Sequence, residues 1–448
     1  MNAILLSMAL ALFVFAFTAC GGGAIEETPP PEPDTVLEQE EIHGYDFSSD
    51  AAFLVEMVEA VHPIFIIRDM LPDYYEAFRD EFLATSSELI SRTEFVLAIK
   101  RYFTALHDGH MGGGWFTDLS QGEPQAFRDG WFIDTRFVVR EGRLFLYEYP
   151  DIEIIEIGGV PVGDIFYQID RYYFSENESA RMWNYAVHSR YELILRRAGA
   201  EIRSSEAGPY VYMMTLEDGE QFNRMVSMSA DITGLWPDFD DIISHEMIGN
   251  IFYIDLRIFV DGDHITEVAD EIEAAIESGV YRFIVDLRGN PGGNDWAGQR
   301  LLMAMGITVP AHGVTTRISD LAREQRGYTG HYISQRTDSQ PLTVIANNPN
   351  NVRIAVMTDR LSFSSATGFS VWVADGGFGY IIGEPSSNAP TSFGDMLPLT
   401  LPTAEIMLSI SHRLFLRPNR HADQQTLWPD IYVPSRDALE VALEWLSD

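Results

Sequence analysis

Three groups of residues in this 448-residue chain have types and spacings that could do chemistry. The first is Ser364-Ser365. It follows an apolar run, Val352 to Met357, and a polar turn, Thr358 to Phe363. Ala366, Phe369, Trp372 and Val373 then fall near one helical face, so the spacing predicts a buried strand, a turn and a helix. A hydroxyl at such a bend can act as a nucleophile, because free backbone N–H groups beside it can hold an oxyanion. It can also simply cap a core helix. The second group is Arg288-Gly289-Asn290-Pro291-Gly292-Gly293, after the apolar strand Arg282 to Leu287 and before a helix from Trp296 to Met305. Glycines there leave N–H groups open to a ligand, or only meet the φ demands of a tight turn. The spacing is not G-x-G-x-x-G, so it is no dinucleotide fingerprint. The third group is His107-Asp108-Gly109-His110, at the end of a helical pattern. Imidazole accepts a proton near neutral pH, but a charged His also suits a helix C-terminus on structural grounds.

These side chains need elements to position them. Phe47 to Leu106 is helical in pattern: Leu71, Tyr74, Phe78 and Phe82 recur at helical spacing, and Ser91 with Glu94 forms a capping box ahead of Phe95, Ile99 and Leu106. Trp131 to Ser229 is strand-rich, with hairpin turns at Glu141-Gly142 and Asp218-Gly219, and carries no chemistry of its own. Asn250 to Phe259, Thr266 to Ser278 and Arg282 to Leu287 form a strand–helix–strand unit, which implies parallel strands and a crossover. Pro310 to Asn351 is polar and long, an excursion near the site in the manner of a lid. Short strands follow at Tyr380 to Gly383, Met407 to Ile410 and Leu414 to Leu416, and an amphipathic helix closes the chain from Ser435 to Leu446.

Bulk properties narrow the classes. A net charge of −37 argues against nucleic acid and against an anionic membrane surface as partners. Cys20 is the only cysteine, which removes internal disulfides and cysteine-based metal sites, and no metal-ligand spacing appears elsewhere, so neither metal nor cofactor is expected. The apolar run Ala3 to Ala19 ending at Cys20 resembles a bacterial lipoprotein signal, with Cys20 the lipidated residue; the other reading is a plain membrane anchor. The run lacks a preceding Lys or Arg. Gly21 to Gly44, with its glycines, prolines and acids, reads as a tether unable to bury a core. Lys100 is the only lysine.

Taken in order, Leu106-His107-Asp108-Gly109-His110, Asp286 to Gly293 (D-L-R-G-N-P-G-G), Ser362 to Phe369, Ile382 to Pro385 with Pro390 to Ser392, and Arg417-Pro418 with Pro429 to Ile431 resemble one family. It is the serine peptidases that include the C-terminal processing (tail-specific) proteases, the tricorn core protease and the interphotoreceptor retinoid-binding repeats. The likeness spans Phe47 to Leu446, and D-L-R-G-N-P-G-G is its specific part. It implies an α/β fold with a ClpP/crotonase-like core of βαβ units, an N-terminal helical domain and a middle β-rich module of PDZ-like kind. Tail-specific members pair the serine with a downstream lysine; no lysine follows Ser364, so that dyad is excluded by composition. Tricorn-like members use a histidine ahead of the core, and His110 matches that position. The resemblance then makes Ser364 the nucleophile, the N–H groups of Gly292, Gly293 and Ser365 the oxyanion donors, and Asp423 the third member, with Asp108 able to orient His110 locally. His107, His412 and His421 are rival bases. Thr367 stands where many relatives carry an acid.

The expectation is a signal peptide at 1–20, a disordered tether at 21–45, a helical domain at 46–115, a middle module at 116–245 and a peptidase core at 246–448. The expected activity is cleavage of peptides or unfolded polypeptide tails outside the cytoplasm, on a protein held to the membrane only by its lipid. The alternative is an inactive lipoprotein that binds peptide or apolar ligands on the same scaffold.

Overall fold

Near-continuous apolar strands flanked by amphipathic helices build a parallel sheet covered on both faces. In this computed structural model Ile251–Leu256, Arg282–Asp286, Arg353–Thr358, Gly379–Gly383 and Ile431–Tyr432 run parallel in that spatial order. Ile243–Ile248 adds an antiparallel edge. The structure describes residues 45–67, 69–89, 91–112, 116–120, 125–126, 130–230, 242–329, 335–337 and 346–447. Cys20, the run read as a signal and nearly all of the stretch read as a tether lie outside them. Among the described residues, no helix is long and apolar enough to cross a membrane.

Strand alternation sorts the sheet's two faces. Phe283, Val285, Ile354 and Val356 pack with the helices Asp263–Glu277, Asp295–Ala304 and Ser365–Gly376. Ile284, Ala355 and Met357 pack with Ala438, Ala442 and Leu446 of the closing helix Ala438–Ser447. The register aligns Asp286 with Met357. The glycine turn and the Ser364 turn therefore leave the same ends, the C-terminal ends, of adjacent parallel strands, where α/β sheets bind ligands.

The helices Phe47–Val61, Tyr75–Ser86 and Arg92–Phe103 do not form a core of their own. Leu54, Phe95 and Ile99 share one with Leu397, Ile406 and Ile410 of the hairpin Ser392–Thr400/Ile406–Leu416. Buried Asp50 locks the two together, accepting from Thr403 N at 3.0 Å, Thr403 Oγ1 at 2.9 Å and Ala404 N at 2.6 Å. Strands from the C-terminal half thus belong to the helical unit. The described parts of the stretch read as a lid are built into this same layer: Gly313–Thr316 pairs with Ile406–Leu416 and with Gln335–Thr337, and Asp320–Arg326 is helical. Residues 330–334 and 338–345 of that stretch lie outside the described residues.

The middle module is an antiparallel sheet in the order Phe132–Ile133, Glu220–Ser229, Gly208–Glu217, Glu153–Ile157, Arg143–Leu146, Phe137–Arg140. Both expected hairpin turns have positive φ at their two central residues, Glu141-Gly142 and Asp218-Gly219. The module also contains helices at Val162–Tyr172, Glu178–His188 and Glu192–Ala198, which the strand-rich reading did not include. Ile165, Ile169 and Tyr172 carried the i, i+4, i+7 signal.

Candidate active site

Ser364 is the residue before the helix Ser365–Gly376, and its side chain makes no capping hydrogen bond. Its backbone has φ 53° and ψ −120°. For a residue with a Cβ this is strained, at a cost on the order of 1–3 kcal/mol, and such strain collects at functional sites. The turn before it is held by Asp359, whose Oδ1 accepts from Gly289 N at 3.0 Å, Leu361 N at 2.9 Å and Ser362 N at 3.1 Å. One carboxylate therefore ties the glycine turn to the serine turn. Asn290 does the same from the other side. It is fully buried, its carbonyl accepts from Phe363 N at 3.0 Å, and its side-chain amide donates to Leu256 O at 2.7 Å. Asp286 braces the base of the turn through Arg288 Nε at 2.8 Å and Tyr253 Oη at 2.8 Å.

Gly292 is glycine for a steric reason. At φ 101° an added Cβ would lie 2.5 Å from Ser364 Cβ and 2.8 Å from Phe363 O. Its amide is not an open donor, because Gly292 N donates to Asn290 Oδ1 at 2.8 Å. This corrects the expected donor set. Among the described residues, the amides of Gly293 and Ser365 have no protein acceptor. Ser365 N sits at the positive end of a helix, and Ser365 Oγ donates to Gly293 O at 2.6 Å, which pins the two segments together.

His110 Nε2 lies 3.0 Å from Ser364 Oγ, although 254 positions separate them in the chain. The short helix Gly109–Gly112 carries the imidazole, and its ring lies 4.7 Å from that of Phe363. Its outer face is Asp108. Asp108 Oδ1 accepts from His110 N at 2.8 Å and lies 3.6 Å from His110 Nδ1, a contact of the kind that tightens when substrate closes a site. Nδ1 is buried without a hydrogen-bond partner. Asp108 is itself held by His62. Ile64 N donates to His62 Nδ1 at 3.2 Å, so the proton sits on Nε2, which donates to Asp108 Oδ2 at 3.1 Å. Both His62 and Asp108 are fully buried. Burial works against the ionised Asp108, but the neighbouring imidazoles of His110 and His62 outweigh it and hold the carboxyl below the usual range. Burial likewise pushes His110 down, and the Asp108 contact more than reverses this, leaving the imidazole more basic than usual.

Glu176, from the middle module, completes the surroundings. The donor atoms of Asp108, His110 and Glu176 all lie within 4.8 Å of one another, close enough to hold a cation. Each carboxylate is already engaged with N–H donors and the far imidazole nitrogen faces Ser364, so the group has the make-up of an acid–imidazole relay.

Asp423 is not brought to His110. Its carboxylate accepts from Thr391 Oγ1 at 2.7 Å and lies 3.4 Å from Arg420 Nη1. The carboxylates against the imidazole are Asp108 and Glu176. Asp430 ties its segment to the strand Gly379–Gly383, accepting from Ile381 N at 2.8 Å. The rival histidines are engaged elsewhere. His107 stacks on Phe174 and meets the Tyr74 hydroxyl, His412 meets Tyr328 Oη at 3.0 Å, and His421 is exposed. Thr367 is buried with its hydroxyl unpartnered. His62 and Glu176 went unread in the sequence. A His before a proline is the ordinary pattern of a helix stop, and Glu176 is one acid among 67.

Residues 250–433 match Peptidase family S41. No curated protein matches the chain. Among solved structures, mature CPAF is similar at 14% identity, covering 90% of this chain and 95% of that one with a TM-score of 0.57. Mature CPAF complexed with lactacystin is similar at 14% identity, covering 90% and 97%, with a TM-score of 0.56. A photosystem II D1 C-terminal processing protease reaches a TM-score of 0.44 at 12% identity, over 90% and 97%.

Proposed function

From the premise that residues 250–433 are a Peptidase family S41 domain, we propose that the protein is a serine endopeptidase in which Ser364 attacks and His110 is the general base. The observation that carries this is the 3.0 Å approach of His110 Nε2 to Ser364 Oγ. A serine hydroxyl is a weak nucleophile until a neighbour takes its proton. Here Nε2 accepts that proton as Oγ bonds to the scissile carbonyl carbon. Asp108 then faces the imidazolium. The carbonyl oxygen becomes an oxyanion beside Ser365 N and Gly293 N, each such donor contributing about 3 kcal/mol in a preorganised site. Nε2 returns the proton to the leaving amine, and water releases the acyl group by the same route.

The Ser–His reading is supported by composition, since Lys100 is the only lysine and none follows Ser364; Nζ of Lys100 lies 4.9 Å and 4.6 Å from the ring centres of Phe116 and Tyr173. The substrate in this reading is a peptide or an unfolded polypeptide tail, laid beside a strand edge as extended peptides are. The apolar run ending at Cys20 supports an extracytoplasmic, lipid-anchored location. The test is labelling of the full chain by a fluorophosphonate, which needs only an activated serine. Labelling is expected in the parent, absent in Ser364→Ala and reduced about 10²–10⁴-fold in His110→Ala. Undiminished labelling of Ser364→Ala would remove the assignment. Lactacystin, which mature CPAF binds, is a second probe of the same serine.

A further inference from the structure

Glu176 is a buried acid that the steps above do not use. It precedes Asn177, the cap of the helix Glu178–His188, and is only 9% exposed. Its two oxygens accept three hydrogen bonds from two distant segments. Oε1 accepts from Gly109 N at 3.0 Å, next to the proposed base. Oε2 accepts from Asn388 Nδ2 at 2.5 Å and Ala389 N at 2.7 Å. The segment around Ser386 is fastened to the same helix, for Asn177 Nδ2 donates to Ser386 O at 3.1 Å and Ser179 Oγ to Pro385 O at 2.6 Å. It leads into the strand whose Gly394 lies beside the His110 ring, which is 3.6 Å from where a Cβ would stand.

We propose that Glu176 is a positioning residue for the peptidase reaction, a carboxylate from the middle module that clasps the Gly109 amide and so holds His110 against Ser364. The inference rests on His110 being the base. An ionised carboxylate only accepts, and so satisfies donors on both sides. A glutamine must turn its NH₂ toward one of them. With its carbonyl kept on Asn388 and Ala389, the NH₂ meets Gly109 N and the clasp on the base opens. The carboxylate is held at a cost: burial raises its pKa, the charge of His110 and the Ala389 amide pull the other way, and the balance leaves it at about 7. An interface with only a packing role would be served as well by an apolar pair.

The contact can be opened from either side. At Gly109 an added Cβ would lie 2.8 Å from Glu176 Oε1, so Gly109→Ala displaces the carboxylate while leaving it in the chain. The experiment measures fluorophosphonate labelling rates across pH for the full-length parent, Glu176→Gln, Glu176→Ala, Gly109→Ala and the Gly109→Ala/Glu176→Ala double variant, with thermal midpoints alongside. Glu176→Gln and Gly109→Ala are each expected to slow labelling about 10- to 100-fold, the scale of a displaced catalytic group. Gly109→Ala should cost nothing further once Glu176 is alanine. The pH at which labelling rises should fall in Glu176→Gln, because Glu176 is one of the charges that make His110 more basic. Parental rates and pH dependence in Glu176→Gln, or full additivity of the two alanine variants, overturn the proposal. Neither result touches the Ser364 assignment, which fails only if Ser364→Ala still labels. Should a Glu176 variant not fold, Gly109→Ala alone decides.

Discussion

At the residue scale the site is a chain of protons with each position set by its neighbour. Ile64 N fixes the tautomer of His62, His62 fixes Asp108, and Asp108 faces the imidazole that meets Ser364. The consequence for pH follows from the sign of two shifts. Asp108 is held below its ordinary range, so the stability it contributes is present above the unfolded carboxyl value and is lost as pH falls through its folded value. His110 is held above its ordinary range, so its contribution is full below the unfolded imidazole value and is lost as pH rises through the folded one. Catalysis needs the neutral imidazole, so activity rises as pH passes the raised His110 value. Asp108→Asn removes the largest cause of that rise. Its labelling should begin at lower pH than in the parent, with a plateau lowered by about 10²-fold or more. A rate–pH profile of serine labelling checks both, and an onset that does not move would separate Asp108 from His110.

At the element scale two turns leaving adjacent parallel strands must interlock, and glycine, asparagine and aspartate let them. Asn290 and Asp359 cross-tie the turns through main-chain groups, and Gly292 lets Ser364 sit directly on the glycine turn. Gly292→Ala places a methyl group 2.5 Å from Ser364 Cβ at a φ of 101°. The substitution should destabilise by about 2–5 kcal/mol, from backbone strain together with overpacking, and should abolish labelling even in the fraction that stays folded. Urea unfolding midpoints paired with labelling per folded molecule measure the two effects separately. A variant with parental stability would contradict the close approach.

At the scale of the whole molecule, His110 and Ser364 belong to different units, and the interfaces between units set the distance between them. The N-terminal helices are bound to the C-terminal hairpin through Asp50 and the shared core around Phe95 and Ile406. Arg92 adds a second tie, donating to Ala404 O at 2.9 Å and pairing with Asp118 at 2.7 Å. Asp50→Ala leaves the Thr403 and Ala404 amides and the Thr403 hydroxyl without their acceptor. It should destabilise the chain by about 3 kcal/mol, read from urea unfolding, and open the 401–405 turn to limited proteolysis. Activity should follow the folded fraction, since Asp50 touches no reacting group.

By itself the sequence determined the local arrangement: the serine turn after an apolar strand, the glycine turn, the absence of any lysine beyond Lys100 and the parallel unit that presents both turns. Those are short-range matters, governed by side-chain period and by which φ angles a residue tolerates. The tertiary structure alone decided which acids meet the His110 imidazole. Asp423 was chosen by its place along the chain, yet its carboxylate is spent on Thr391 and Arg420. Asp108 and Glu176 surround the imidazole instead, one beside it in sequence and one delivered by another module. With 67 acidic residues in the chain, composition cannot single out the two that matter. Only burial, which makes an unpaired carboxylate costly and so demands donors around it, distinguishes them, and burial exists only once the chain is folded.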